Sequence, residues 1–193
     1  MKNRILEAIK DSIKVKELIL RDVSFIEKIE KAVSLIIDTY TKNGKVFFCG
    51  NGGSAADGQH LAAELSGRFY YDRPPLYAEA LHVNTSYLTA VANDYSYEVI
   101  FSRMIEAAGR ENDTLVGLST SGNSKNVVLA VEKAKILGMH TICLTGQKGG
   151  ELGEICDILL NVPSLDTPRI QECHIMIGHI ICELVEKQIF PRQ

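Results

Sequence analysis

One feature constrains this fold more than any other: from Lys45 onward, short apolar runs alternate with amphipathic stretches. The runs are Lys45–Cys49, Ala78–Val83, Thr114–Leu118, Thr141–Leu144 and Ile158–Val162, each of strand length. Between them lie helical stretches at Ser54–Ser66, Ser86–Glu106 and Ser124–Leu137, and a short segment at 149–156. A last helix runs from Pro168 to Lys187, with proline in the first turn, where its missing N–H costs no hydrogen bond. This alternation predicts a five-stranded parallel sheet covered by helices on both faces.

Ahead of the alternating region, Ile5, Ile9, Ile13, Leu18, Ile19, Ile26, Ile29, Val33, Ile36 and Ile37 recur at helical spacing between Arg4 and Tyr40. Asn43-Gly44 ends the stretch with turn chemistry. Its apolar stripe requires a partner surface, on its own domain, on another subunit, or on both. With 193 residues the chain suits one domain, read as a helical arm at 1–43 and an α/β core at 44–193.

Lys and Arg total 21 against 24 Asp and Glu, a formal net charge of −3, which gives no bulk attraction to nucleic acid or anionic membrane. No apolar run approaches the roughly 20 residues of a membrane span. The opening MKNRILEAIKDSIKVKEL carries charges through its apolar positions, unlike a signal peptide. Cys49, Cys143, Cys156, Cys173 and Cys182 form an odd set with no C-x-x-C pair. In their apolar surroundings they read as small buried hydrophobes of a reducing, cytoplasmic compartment.

In a sheet of this kind ligands bind beyond the carboxyl ends of the strands. Two of the turns there are unusual: Cys49-Gly50-Asn51-Gly52-Gly53-Ser54 and Leu118-Ser119-Thr120-Ser121-Gly122-Asn123-Ser124. Glycine lets backbone approach a ligand closely, hydroxyls donate, and each turn opens a helix whose N-terminus favours an anion. A tight turn capped by serine is the plain alternative for either loop alone. Neither matches the dinucleotide or Walker pattern, so a small phosphorylated metabolite suits the pair better than NAD or ATP.

His60 and Glu64, four apart behind the first loop, share a helix face and can hold a divalent metal or simply each other. In the last helix His179 sits within Ile-Gly-His-Ile-Ile, where an imidazole needs a partner. Gln171 and His179 are eight apart, a rise of about 12 Å. Reaching one metal from both demands a bent approach or ligands from neighbouring subunits. Asn93-Asp94 reads as a turn pair in a strand-end segment.

Taken in order, CGNGGSAADGQHLAAELSGRF, LTAVANDYSYEVIFSR, GLSTSGNSKNV, CLTGQKGGEL and DTPRIQECHIMIGHIICELVE resemble the phosphoheptose isomerase family, enzymes of a single sugar-isomerase (SIS) domain. The resemblance implies a flavodoxin-like, three-layer α/β/α sandwich. It implies a homotetramer with active sites at subunit interfaces. The reaction implied converts D-sedoheptulose 7-phosphate to D-glycero-D-manno-heptose 7-phosphate, opening ADP-heptose and lipopolysaccharide biosynthesis.

By the same resemblance one Zn2+ per subunit is held by His60, Glu64, Gln171 and His179, with Glu64 and His179 carrying the proton transfers. Substrate contacts fall on Asn51, Gly52, Gly53, Glu64, Asn93, Asp94, Ser119, Thr120, Ser121, Ser124 and Gln171. Two departures stand out. Gly58 lies within the metal-binding helix, and Pro168 takes a position where some members carry an acid, leaving Asp166 as a stand-in. A non-catalytic SIS adaptor that binds a protein partner, and another phosphosugar isomerase, are the competing readings; the adaptor type lacks groups matching Glu64 and His179.

Overall fold

The structure, a computed structural model, describes residues 1–192. Two helices open it, α1 (Lys2–Arg21) and α2 (Val23–Thr41). The continuous apolar periodicity predicts a single stretch here, but Asp22 breaks it. Its backbone is extended (φ −92°, ψ 94°) and its carboxylate accepts the Phe25 N–H at 3.1 Å, the action of a helix N-cap.

The alternating region then runs β1 (Val46–Gly50), α3 (Gly53–Ser66), β2 (Ala78–Ala80), α4 (Thr85–Asp94), a 3₁₀ turn (Tyr97–Val99), α5 (Ile100–Ala108), β3 (Thr114–Leu118), α6 (Lys125–Ile136), β4 (His140–Thr145), α7 (Gly150–Ile155), β5 (Ile158–Asn161) and α8 (Thr167–Ile189). All five strands are parallel, in the order β2-β1-β3-β4-β5. The predicted helix over Ser86–Glu106 is three pieces: Tyr95 leaves helical geometry and Ser96 is extended (φ −167°, ψ 161°). The edge strand β2 stops at Ala80, and the chain turns at Leu81, whose N–H still donates to the Phe48 carbonyl of β1 at 2.9 Å.

Two apolar layers flank the sheet. On one face α1, α2, α3 and α8 pack around Phe25, Ile36, Phe48, Leu61 and Ile177. On the other, α4 to α7 pack around Phe47, Phe101, Leu115 and Val131. The result is a three-layer α/β/α sandwich.

Glycines let α3 lie close to both its neighbours. A Cβ on Gly58 would come within 3.2 Å of the Phe48 Cβ, and one on Gly178 within 2.5 Å of the Leu61 side chain. The departure at Gly58 thus brings α3 down onto β1, and Gly178 brings α8 down onto α3. Strand order reverses at β1/β3, where ligands bind in doubly wound sheets, and Gly50 stands level with Leu118 in that pair. The two unusual loops therefore leave the sheet side by side.

Candidate active site

The first loop turns on Gly52, whose φ of +55° suits a residue without a side chain. Asn51 accepts the Ser54 N–H on its carbonyl at 3.0 Å, starting α3. The Asn51 side chain reaches across the switch point to Asn126, in the first turn of α6, and the two amides exchange hydrogen bonds of 2.8 and 2.9 Å.

The second loop is held from within. Ser119 Oγ lies 2.8 Å from Ser124 Oγ and 3.4 Å from Ser121 Oγ, while Ser121 Oγ accepts the Asn123 N–H at 3.1 Å. Ser124 is the N-cap residue of α6, yet its hydroxyl makes no capping bond. It is turned to Ser119, so no side chain satisfies the first-turn amides, which keep their pull on an anion. Thr120, Ser121 and Asn123 line a cleft of about 400 Å³ together with Lys148, Ser164 and Thr167.

Helices α3 and α8 meet beside these loops. His60 Nε2 is 2.9 Å from His179 Nε2 and 3.3 Å from Glu64 Oε1. Gln171 lies toward the helix N-termini, its amide packed on Gly53. Asp57 sits close to Gln171, His60 and His179. Burial pushes its carboxyl upward, opposed by the Gln171 hydrogen bond and the two imidazoles, and its Oδ2 is buried without a hydrogen-bond partner.

His60, Glu64 and His179 bring together two imidazole nitrogens and a carboxylate oxygen, the donor types that a divalent metal takes. Two imidazole nitrogens and a carboxylate oxygen face one another with at most one ring proton to share while the imidazoles are neutral, a deficit that a cation removes. Among the described residues no group of three or more His, Cys, Asp or Glu stands in an arrangement that could hold a metal ion. The two ring nitrogens lie 2.9 Å apart.

Asn93 and Asp94 are placed differently from expectation. They end α4, exposed, and Asn93 donates to Asp94 at 2.9 Å. The strand-end reading fails because β2 is so short that a helix has already formed by Thr85. Among the described residues neither side chain hydrogen-bonds either loop. Tyr97, three residues on, does: its hydroxyl donates to Asn51 Oδ1 at 3.1 Å.

Sequence reasoning missed a second layer. Glu186 is fully buried and accepts the N–H groups of Phe69 and Tyr70 at 2.8 and 2.7 Å and Arg73 Nε at 3.1 Å. Burial alone would raise its carboxyl; these donors outweigh it and hold Glu186 below the usual carboxylate range. Arg73 also donates to the carbonyls of Glu64 and Leu65 at 2.9 and 2.7 Å, closing the end of α3 that carries Glu64. Phe69 packs near His179, ring centroids 5.8 Å apart. No local spacing signals this pair.

Fold and site together define a sugar-isomerase class of protein, and residues 14–146 match the SIS domain family model. A phosphoheptose isomerase of Clostridium acetobutylicum is 56% identical over 190 residues, 98% of this chain and 97% of that one. One from Burkholderia pseudomallei is 49% identical over the full length of both. The solved phosphoheptose isomerase of Neisseria gonorrhoeae superposes with a TM-score of 0.90 at 42% identity, covering 96% of this chain and 98% of that one. That of Francisella tularensis gives 0.92 at 36%, with 96% and 97% covered. The chain belongs to the phosphoheptose isomerase family of SIS-domain enzymes. It is accordingly a phosphosugar isomerase, of the kind that acts on heptose phosphates.

Proposed function

We propose that the enzyme converts D-sedoheptulose 7-phosphate to D-glycero-D-manno-heptose 7-phosphate, the opening step of ADP-heptose and lipopolysaccharide biosynthesis in the cytoplasm. The convergence of Glu64, His60 and His179 beside the switch-point loops carries this reading.

Moving a carbonyl from C2 to C1 requires a base to take a proton from C1 and return it to C2, while a hydroxyl proton passes from O1 to O2. Glu64 takes the carbon-bound proton and delivers it to the neighbouring carbon. His179 relays the hydroxyl proton. Glu64 turns Oε1 toward His60, and the role of base falls to its other oxygen. Ser119, Thr120, Ser121 and Ser124 hold the phosphate with the N-terminus of α6. Asn51, Gly52, Gly53, Asn93, Asp94 and Gln171 orient the sugar, so that binding energy fixes the reacting carbons beside the base.

His60, Glu64, Gln171 and His179 would hold one Zn2+, which when bound supplies Lewis-acid polarisation of the carbonyl. Unpartnered apolar surface supports assembly as a homotetramer with sites at subunit interfaces. Ile5, Ile9 and Ile13 of α1 are half exposed and Leu20 is three-quarters exposed, more than a monomer's scattered surface apolar residues require. Light scattering at micromolar concentration reads the tetramer directly.

Turnover of sedoheptulose 7-phosphate with zinc, and its loss after chelation, tests the reaction. Glu64→Gln should lower kcat about 1000-fold or more and leave competitive inhibition by inorganic phosphate intact. Near-normal turnover would remove Glu64 from the chemistry.

A further inference from the structure

Asn126 is buried, 4% exposed, and lies 75 residues from Asn51 in sequence. Its amide nitrogen donates to Asn51 Oδ1 at 2.8 Å, and its amide oxygen accepts from Asn51 Nδ2 at 2.9 Å. The Tyr97 hydroxyl donates to the same Asn51 Oδ1 at 3.1 Å. An amide oxygen offers two lone pairs and an amide nitrogen two hydrogens. Both acceptor sites of Asn51 are therefore filled and one of its two donors is spent. What remains for a ligand is a single N–H.

We infer that Asn126 and Tyr97 are positioning residues that lock the Asn51 amide in place for its contact with the bound sugar phosphate. This rests on the function proposed above and goes further: it assigns roles to two residues outside the expected site set. Unlocked, the Asn51 side chain can rotate away from the ligand, and the contact is lost. The lock also couples the two ligand loops, because Asn51 follows β1 while Asn126 lies in the first turn of α6, two residues after Ser124. Tyr97 adds the segment that carries Asn93 and Asp94 to the same hydrogen-bonded unit.

A double-mutant cycle tests it, because residues that act through one another are non-additive. Asn126→Ala should reduce kcat/KM for sedoheptulose 7-phosphate by about 10- to 100-fold, and in an Asn51→Ala background it should cost less than about twofold more. Tyr97→Phe should behave alike with a smaller loss. Losses that multiply in the Asn51→Ala background, or a neutral Asn126→Ala, would each overturn the inference.

If Asn126→Ala does not fold, the near-isosteric Asn126→Asp takes its place. It accepts from Asn51 Nδ2 but sets a second oxygen against Oδ1, and the same non-additivity is expected. Should the wild-type enzyme bind sedoheptulose 7-phosphate without turning it over, the isomerase reading fails on its own. The cycle is then read on the dissociation constant from calorimetry, where additivity still rejects the lock.

Discussion

Gln171 lies so closely across Gly53 that a methyl group on Gly53 would run into its side-chain amide. The side chain is long and its end can swing away, so the clash is relieved by moving Gln171 rather than backbone. Gly53→Ala should therefore change thermal stability little, since alanine suits the first turn of a helix better than glycine. The same change should lower kcat/KM at least about tenfold by expelling Gln171 from the site. Melting temperature and steady-state kinetics on one preparation check both halves.

Arg73 and Glu186 make the opposite case, a pair that acts through stability. Both side chains are almost entirely shielded from water, with 2% and 0% exposure. Glu186→Gln would leave the guanidinium buried without its counter-charge, which typically costs about 3–5 kcal/mol. For a chain of this size each kcal/mol shifts Tm by about 2–4 °C, so a fall of about 10 °C is expected by calorimetry. Because the folded carboxyl titrates below its unfolded value, the stabilisation is present above about pH 4.3. It fades as pH falls through the folded value. Glu186→Gln should flatten that acid limb.

How much of this was legible beforehand follows from the range of each contact. Periodicity is local, and the strand Thr114–Leu118 is recovered residue for residue. So are the two loops at the switch point and the four-residue spacing of His60 and Glu64. The break at Asp22 was invisible because the apolar rhythm continues across it, while the cap depends on one carboxylate meeting one N–H. Arg73–Glu186 spans 113 residues and Asn51–Asn126 spans 75, and neither has any signature in its own neighbourhood. Gln171 and His179, eight apart in α8, meet different turns of α3, Gln171 at Gly53 and His179 at His60, in keeping with the long reach that their spacing implies.

The metal reading makes a prediction separate from turnover. Wild-type enzyme should retain one zinc per chain through dialysis, and His60→Ala or His179→Ala should weaken zinc binding at least about 100-fold. Metal analysis after equilibrium dialysis reads this without an assay. Zinc should also raise the wild-type Tm, because a ligand bound only to the folded state stabilises it, and the rise should vanish in His60→Ala. Equal zinc retention in wild-type and His60→Ala protein would discard the four-residue ligand set.

His174, one turn from Gln171 and Ile170 in α8, faces the sheet instead of the site. It is fully buried, its Nε2 is 3.1 Å from the Thr145 carbonyl, and its Nδ1 has no partner. Burial pushes its pKa down to about 4 from an ordinary 6.5, and the bond to Thr145 recovers only part of that. The folded protein thus keeps the ring neutral where the unfolded chain would protonate it. Stability must then fall as pH drops from about 6.5 to about 4, and level off below, since unfolding takes up a proton throughout that window. The whole step is at most about 3 kcal/mol. His174→Gln retains a donor for the Thr145 carbonyl but does not titrate. Urea unfolding of both proteins at pH 7.5 and pH 5 should show the wild type losing more stability than the variant over that interval, and equal losses would mean that water reaches the ring.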